Sequence, residues 1–396
     1  MTTAEPDARA LPDRPGAPSH RPSKALRPLA LVALVASAII AGLSIVWLAQ
    51  PALSPFVSPP SPSLATLVLD PTAAALLALA AGGAGVAIAA SLARRRATPP
   101  RSNTAGIAAS LVTAAMAFLF GSMSTIALTG YLFGAAAVIA GLVTIGVTLV
   151  RAPRLGAALL TGLLLVVATA VLWAGLTIDG VVDFAVMLGG ALVAGLPGFA
   201  IVGLGLISAL VWGALTLVTL RSASSGRLAA WLVRHRRTLT VLAAIGPLPY
   251  AVARASWVTP WPLFGPGSEE LEPEMLVTGL VIGAGAIAAG ILTLGLILPW
   301  GRVFPRWMPW VGGRPVPVAA AAVPGFIAAG ILCIAAVPML LTTVGPAVSP
   351  ADALLVNLVL PLWFWGPMLA LAVGAYVEWR AADRDLSFTP RRPCVA

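Results

Sequence analysis

The chain has 396 residues, of which 59% are hydrophobic and 10% charged, and a formal net charge of +10. Soluble domains carry about 25% charged residues, so this composition, with a mean hydropathy of +0.97, excludes both a soluble globular enzyme and a disordered chain. It describes a protein built mostly for lipid.

A helix of about 20 apolar residues crosses the ~30 Å hydrocarbon core of a bilayer. The sequence predicts an all-α, polytopic transmembrane helix bundle over 27–378, entered from a polar tail. Residues 1–26 are rich in Pro, Ala, Arg and Asp, have almost nothing to bury, and are expected to be a disordered basic tail. The first crossing, 28–49, follows more than twenty polar residues and is of spanning length, which fits an uncleaved helix better than a signal peptide. The proline-rich stretch 51–63 is expected to be extended, partly polyproline II. The next crossing lies at 70–92.

Residues 104–150 contain no charge, and one helix of that length would span about 70 Å, so two crossings are expected, 105–127 and 131–150, divided near Gly130 and Tyr131. A fifth crossing follows at 155–175. The apolar run 181–220 is too long for one crossing, but the charges on its flanks do not permit two. A crossing at 197–220 is expected, preceded by a re-entrant or interfacial segment at 184–195. Gly189, Gly190, Gly195 and Pro197 supply the break. The remaining crossings are 238–258, 275–298, 317–342 and 353–377, and 379–396 is expected to be a second disordered tail.

Basic residues favour cytoplasmic loops. With ten crossings and both termini cytoplasmic, every basic residue except Arg254 falls on the inner side. The outer segments hold Asp70, Asp179, Asp183, Glu269, Glu270, Glu272, Glu274 and Asp352 and no basic residue. Adding or removing one crossing scrambles this alternation. The distribution of positive charge therefore points to anionic lipid headgroups at the cytoplasmic face and not to nucleic acid.

Arg254, in the outer part of the seventh crossing, lies ~24 Å along a helix counted from Thr238. An intramembrane charge is costly and often functional. It either contacts an anion or substrate inside the bundle, or snorkels to lipid phosphate or an outer acid. The candidate acids are Asp179, Asp183, Glu269 and Glu270. In the same segment Gly246-Pro247-Leu248-Pro249-Tyr250 removes two backbone donors, so the helix must kink or break. Broken helices expose carbonyls that bind ions or substrates when they line a cavity, and are otherwise static kinks. Tyr250 precedes Arg254 by four residues and shares its face. Pro247, Pro249, Tyr250 and Arg254 are thus the best candidate substrate or ion site in the sequence.

Other features carry less. Asp183 is expected to cap the segment it begins. The acidic run 269–274 lacks the calcium-loop pattern, and His20 and His235 have no metal-ligand neighbours. Trp300, Trp307 and Trp310 alternate with Arg302, Arg306 and Arg314 in the last inner loop, which reads as an interfacial element at headgroup level. Gly130 with Gly134, Gly279 with Gly283, and the stretch Gly82-Gly83-Ala84-Gly85 suggest close helix packing. Cys333 and Cys394 form no CxxC pair. No cofactor, metal or catalytic motif is expected, and the chain is not read as an enzyme.

The runs GPLPYAVARASWVTPWPLFGP and LPWGRVFPRWMPWVGGRPVPVAAAAVPGFIAAG resemble uncharacterised multi-pass membrane proteins of high-GC actinobacteria, over roughly 240–380. The resemblance implies a multi-pass protein of the bacterial plasma membrane and no established activity. An arginine-rich, alanine-rich composition with one lysine, Lys24, fits a GC-rich bacterial genome. Two functions lead from here. One is a transporter or permease subunit with a site near the broken seventh helix; the other is a non-catalytic envelope or assembly protein.

Overall fold

The computed structural model describes residues 26–57, 63–94, 104–223, 226–264, 273–308, 311–343 and 348–388. The acidic positions 269–272, the N-terminal tail with His20, and Cys394 lie outside them. The described chain is all-α, and its only strand-like pairings are two isolated bridges, Ser63 with Ser122 and Val303 with Pro315. Its helices are α1 (Leu26–Ala49), α2 (Leu64–Val68), α3 (Pro71–Arg94), α4 (Thr104–Phe120), α5 (Met123–Arg151), α6 (Pro153–Ala174), α7 (Ile178–Ala223), α8 (Arg227–Ile245), α9 (Leu248–Ala255), α10 (Pro273–Leu294), α11 (Val318–Thr343), α12 (Pro350–Val359) and α13 (Leu362–Phe388). Ten helical segments are long and apolar enough to cross a membrane, counting the two halves of α7 separately and leaving out the 17-residue α4. The protein is a polytopic helix bundle.

Several elements differ from the sequence-based expectation. The division of 104–150 falls at Gly121 and Ser122, not at Gly130. Ser122 leaves the helix to bridge Ser63, and Gly121 sits so close to Ile334 that an added Cβ would approach its side chain to 2.5 Å. The stretch 184–195 is neither re-entrant nor separate. It belongs to the continuous 46-residue α7. A glycine in a helix costs about 1 kcal/mol and a proline about 3, and α7 tolerates Gly189, Gly190, Gly195 and Pro197 without a break. Asp183 therefore caps nothing; the capping side chain is Thr177, whose Oγ1 accepts the Gly180 amide at 3.1 Å.

The described part of 51–63 is not extended. It turns tightly after α1 and buries Phe56 against Trp47 and Phe120, with ring centroids 5.7 and 5.9 Å away. The C-terminal tail is also shorter than expected, because α13 continues to Phe388. Arg302 anchors this extension through a 2.8 Å ion pair with Asp383.

Two large cores organise the bundle, and a smaller third packs Ala170 of α6 with Trp257 and Val258 and with Leu276 of α10. The first joins α1, α3, α4 and the second half of α7. Within it Trp212 is fully buried and donates its indole N–H to Ser37 Oγ at 3.0 Å. Gly82 and Gly85 let α3 approach α1, since a Cβ at either would come within 3.0 Å of Ala41 or Ser37 atoms. The second core joins α8, α11 and α13 around Tyr376. Between the two, α10 packs on α5, α9, α7 and α8. By contrast α6 and the first half of α7 bury only 11% of their apolar windows and form a broad exposed flank.

Candidate functional site

Two helices are interrupted by proline and meet. Pro247 and Pro249 have no N–H, so the carbonyls of Ala243 and Ile245 lose their helical donors. The chain stops at Ile245 and restarts at Leu248, with Ala251 N–H donating to Pro247 O at 3.0 Å. The second break is at Leu360 and Pro361, between α12 and α13, within the crossing expected at 353–377. Gly246 lies against Trp365 of α13, where an added Cβ would fall 2.6 Å from the indole ring. That contact needs glycine.

Beside these breaks lies a cavity of about 630 Å³. Its walls are α5 at Thr129–Phe133, α9 at Tyr250 and Arg254, α10 from Met275 to Ala289, α11 at Ala328–Leu332, and Leu360, Leu362 and Trp365 at the second break. The lining is mostly aliphatic and aromatic. Tyr250 and Arg254, paired on one face in the sequence, both line it. Pro247 and Pro249 do not; they form the hinge, with Pro247 packed toward Gly290 of α10.

The guanidinium of Arg254 lies over two rings, Trp257 at 4.1 Å and Tyr250 at 4.8 Å from their centroids. The Trp257 ring is fixed by donating to Leu263 O at 3.2 Å. Each such contact is worth about 0.5–2 kcal/mol depending on desolvation, against an insertion cost of about 2.5–3.5 kcal/mol for a central arginine. The rings offset much of that cost but leave the charge unneutralised. Arg254 forms no ion pair with a described residue, and its buried Nε has no hydrogen-bond partner. Asp179 and Asp183 are both exposed on α7 and pair with nothing there. The structure therefore does not bring these two acids to Arg254, and Glu269 and Glu270 lie outside the described residues.

Gly279 and Gly283 show their purpose in this geometry. A Cβ at Gly279 would stand 2.7 Å from the Trp257 ring, and one at Gly283 would stand 2.9 Å from Arg254 Cβ. The small face of α10 is the bed on which Arg254 and Trp257 lie. The second tight contact is between α10 and α5, at Gly285 and Gly134, whereas Gly130 is loosely packed. Phe264, also on the wall, has φ +54, a conformation that is costly for a residue with a Cβ. It is held by Leu263 N–H donating to Ser256 Oγ at 2.7 Å.

Sequence reasoning missed Trp365. Its Nε1, like Arg254 Nε, is buried without a partner. The signal was Pro361 in the run Val359-Leu360-Pro361-Leu362. It also missed a cluster at the opposite end of the bundle. There Trp379 lies between Arg236 (3.7 Å) and Arg302 (4.8 Å). Tyr376 OH donates to Gly301 O at 3.1 Å, and Arg380 donates to Tyr376 OH at 2.9 Å and to Val316 O at 3.0 Å. The loop between α10 and α11 is thereby folded onto α8 and α13, closed by Phe304 N–H to Arg314 O and Val316 N–H to Arg302 O.

His235 stacks on Trp231 with centroids 4.8 Å apart. Among the described residues no group of three or more His, Cys, Asp or Glu could hold a metal ion. Comparison with protein-family models, with curated proteins and with solved structures finds no match.

Proposed function

We propose that this multi-pass membrane protein is a transporter or permease subunit whose cargo site is the cavity beside the two broken helices. The observation that carries the reading is Arg254: a cation on the wall of a 630 Å³ cavity, without a carboxylate among the described residues. Cavities of roughly 300–1,000 Å³ suit small organic ligands. Interrupted helices bordering a central site are a recurring design of transport proteins. No catalytic role is proposed; among its described residues the cavity wall pairs no nucleophile with a base.

The proposed setting is the bacterial plasma membrane, with both termini cytoplasmic. The confinement of all basic residues except Arg254 to alternate segments supports that orientation. With α7 counted once and α4 included, the helices make ten passes. In that orientation Arg254 lies toward the outer face, and the Trp379 cluster lies inside, within reach of anionic lipid headgroups.

The test compares cells lacking the protein with cells restored by wild type or by Arg254→Ala. Accumulation of a panel of labelled lipophilic anions and cations is measured. Arg254→Ala should behave like the absence of the protein while remaining as abundant as wild type. Equal accumulation in all three strains would remove the transport reading. The alternative, an envelope or assembly protein, draws on the exposed flank of α6 and α7 and would then be preferred.

A further inference from the structure

We infer that the ligand of the cavity is an amphipathic anion: a single anionic head group on an apolar body. This rests on the cavity being the protein's functional site. The head is set by charge. Among the described residues Arg254 is the sole ionised side chain on the wall and has no ion-pair partner. An arginine charge with no carboxylate beside it among the described residues calls for a negative group.

The body is set by shape and lining. A cavity of about 630 Å³ is far larger than an inorganic anion needs. Beyond Arg254 the wall carries only uncharged polar groups, the hydroxyls of Thr129, Tyr131, Tyr250 and Thr278 and the indoles of Trp257 and Trp365, and is otherwise apolar. The exposed wall residues indicate how such a molecule enters. Phe264 and Met275 are exposed at the end of the bundle where α10 begins, close to Arg254 in the last turn of α9. Ala328 is exposed midway along α11, at the depth of the hydrocarbon core. An end opening beside the arginine suits a polar head, and a flank opening at mid-depth suits an apolar tail. The Trp257 and Tyr250 rings hold the guanidinium without neutralising it.

This chemistry fits two sources, a single-chain lipid anion drawn from the bilayer and a compact aromatic anion drawn from water. The test is equilibrium binding to the full-length protein in neutral lipid nanodiscs, corrected for partition into empty discs. Tritiated dodecyl phosphate represents the first source and naphthalene-2-sulfonate the second, with dodecanol and inorganic phosphate as controls. Saturable binding of either amphipathic anion, above both controls, is expected, and the tighter one identifies the source. Arg254→Gln should weaken it about tenfold to a hundredfold, the worth of a hydrogen bond to a charged group. Ala289→Leu narrows the cavity without touching the arginine and should also weaken binding, so the result does not depend on Arg254→Gln folding.

Dodecanol binding as tightly as dodecyl phosphate would overturn the anionic head. Inorganic phosphate binding as tightly would overturn the apolar body. No saturable binding of either amphipathic anion would overturn both. Binding that persists where the accumulation experiment shows no transport would leave this ligand class standing and remove only the transport reading.

Discussion

The contact between α9 and α10 sets the position of Arg254, and a single methyl group tests it. In Gly283→Ala the new Cβ would stand 2.9 Å from Arg254 Cβ. That is about 0.6 Å short of the closest comfortable carbon–carbon approach of ~3.5 Å. Arg254 Cβ is bonded to the backbone, so no rotamer change relieves the clash and α9 must retreat from α10. Overpacking of this kind costs about 1–3 kcal/mol. The proper reference is Gly83→Ala on the exposed face of α3, where an added Cβ meets nothing within 4 Å. Both variants gain the same helix preference of alanine over glycine, about 1 kcal/mol, so the difference between them isolates the contact. At about 2–4 °C per kcal/mol, Gly283→Ala should melt roughly 2–12 °C below Gly83→Ala. The assay is thermal unfolding of both purified variants in one detergent. Equal melting temperatures would refute the close approach of Arg254 to α10.

Three further outcomes are expected. Trp212→Phe should cost about 2–4 kcal/mol, because it opens a void in the first core and leaves the buried Ser37 hydroxyl without its donor; thermal unfolding against wild type measures it. Tyr376→Phe removes a hydrogen bond to Gly301 O worth about 0.5–1.5 kcal/mol, so trypsin should cut the α10–α11 loop at Arg302, Arg306 or Arg314 several times faster, and unchanged cleavage would show that the latch is not holding it. A cysteine introduced as Gly267→Cys should react with a membrane-impermeant maleimide added to intact cells, while failure of labelling would reverse the proposed orientation.

The sequence was most legible where hydrophobic length and charge decide the outcome. Apolar runs of spanning length appear as helices, and the break at Gly246–Pro247 is where two missing amide donors put it. The pairing of Tyr250 with Arg254 on one cavity wall follows from their four-residue spacing. Other features depended on contacts that no local pattern encodes. The helix ended at Gly121 because Ser122 bridges Ser63, a residue 59 positions earlier. The run through Gly189, Gly190, Gly195 and Pro197 stayed helical although each is a poor helix former. Asp179 and Asp183 were reasonable partners for Arg254 by sidedness alone, yet they project from the exposed side of α7, and two aromatic rings take the place of an acid. Trp365 was unreadable as a wall residue until Gly246 brought the two broken helices together.

The proposed function requires that Arg254 face a cavity reached from water and not a dry, packed core. Ala289 lies on that cavity's wall in α10. The most direct measurement is the reaction of Ala289→Cys, in a background with Cys333 and Cys394 replaced by serine, with a charged, membrane-impermeant thiol reagent in intact cells and in inverted vesicles. The account predicts modification from at least one side, and faster reaction with an anionic than with a cationic reagent because Arg254 draws the anion in. Absence of modification from both sides, with the folded protein present in the membrane, would contradict it.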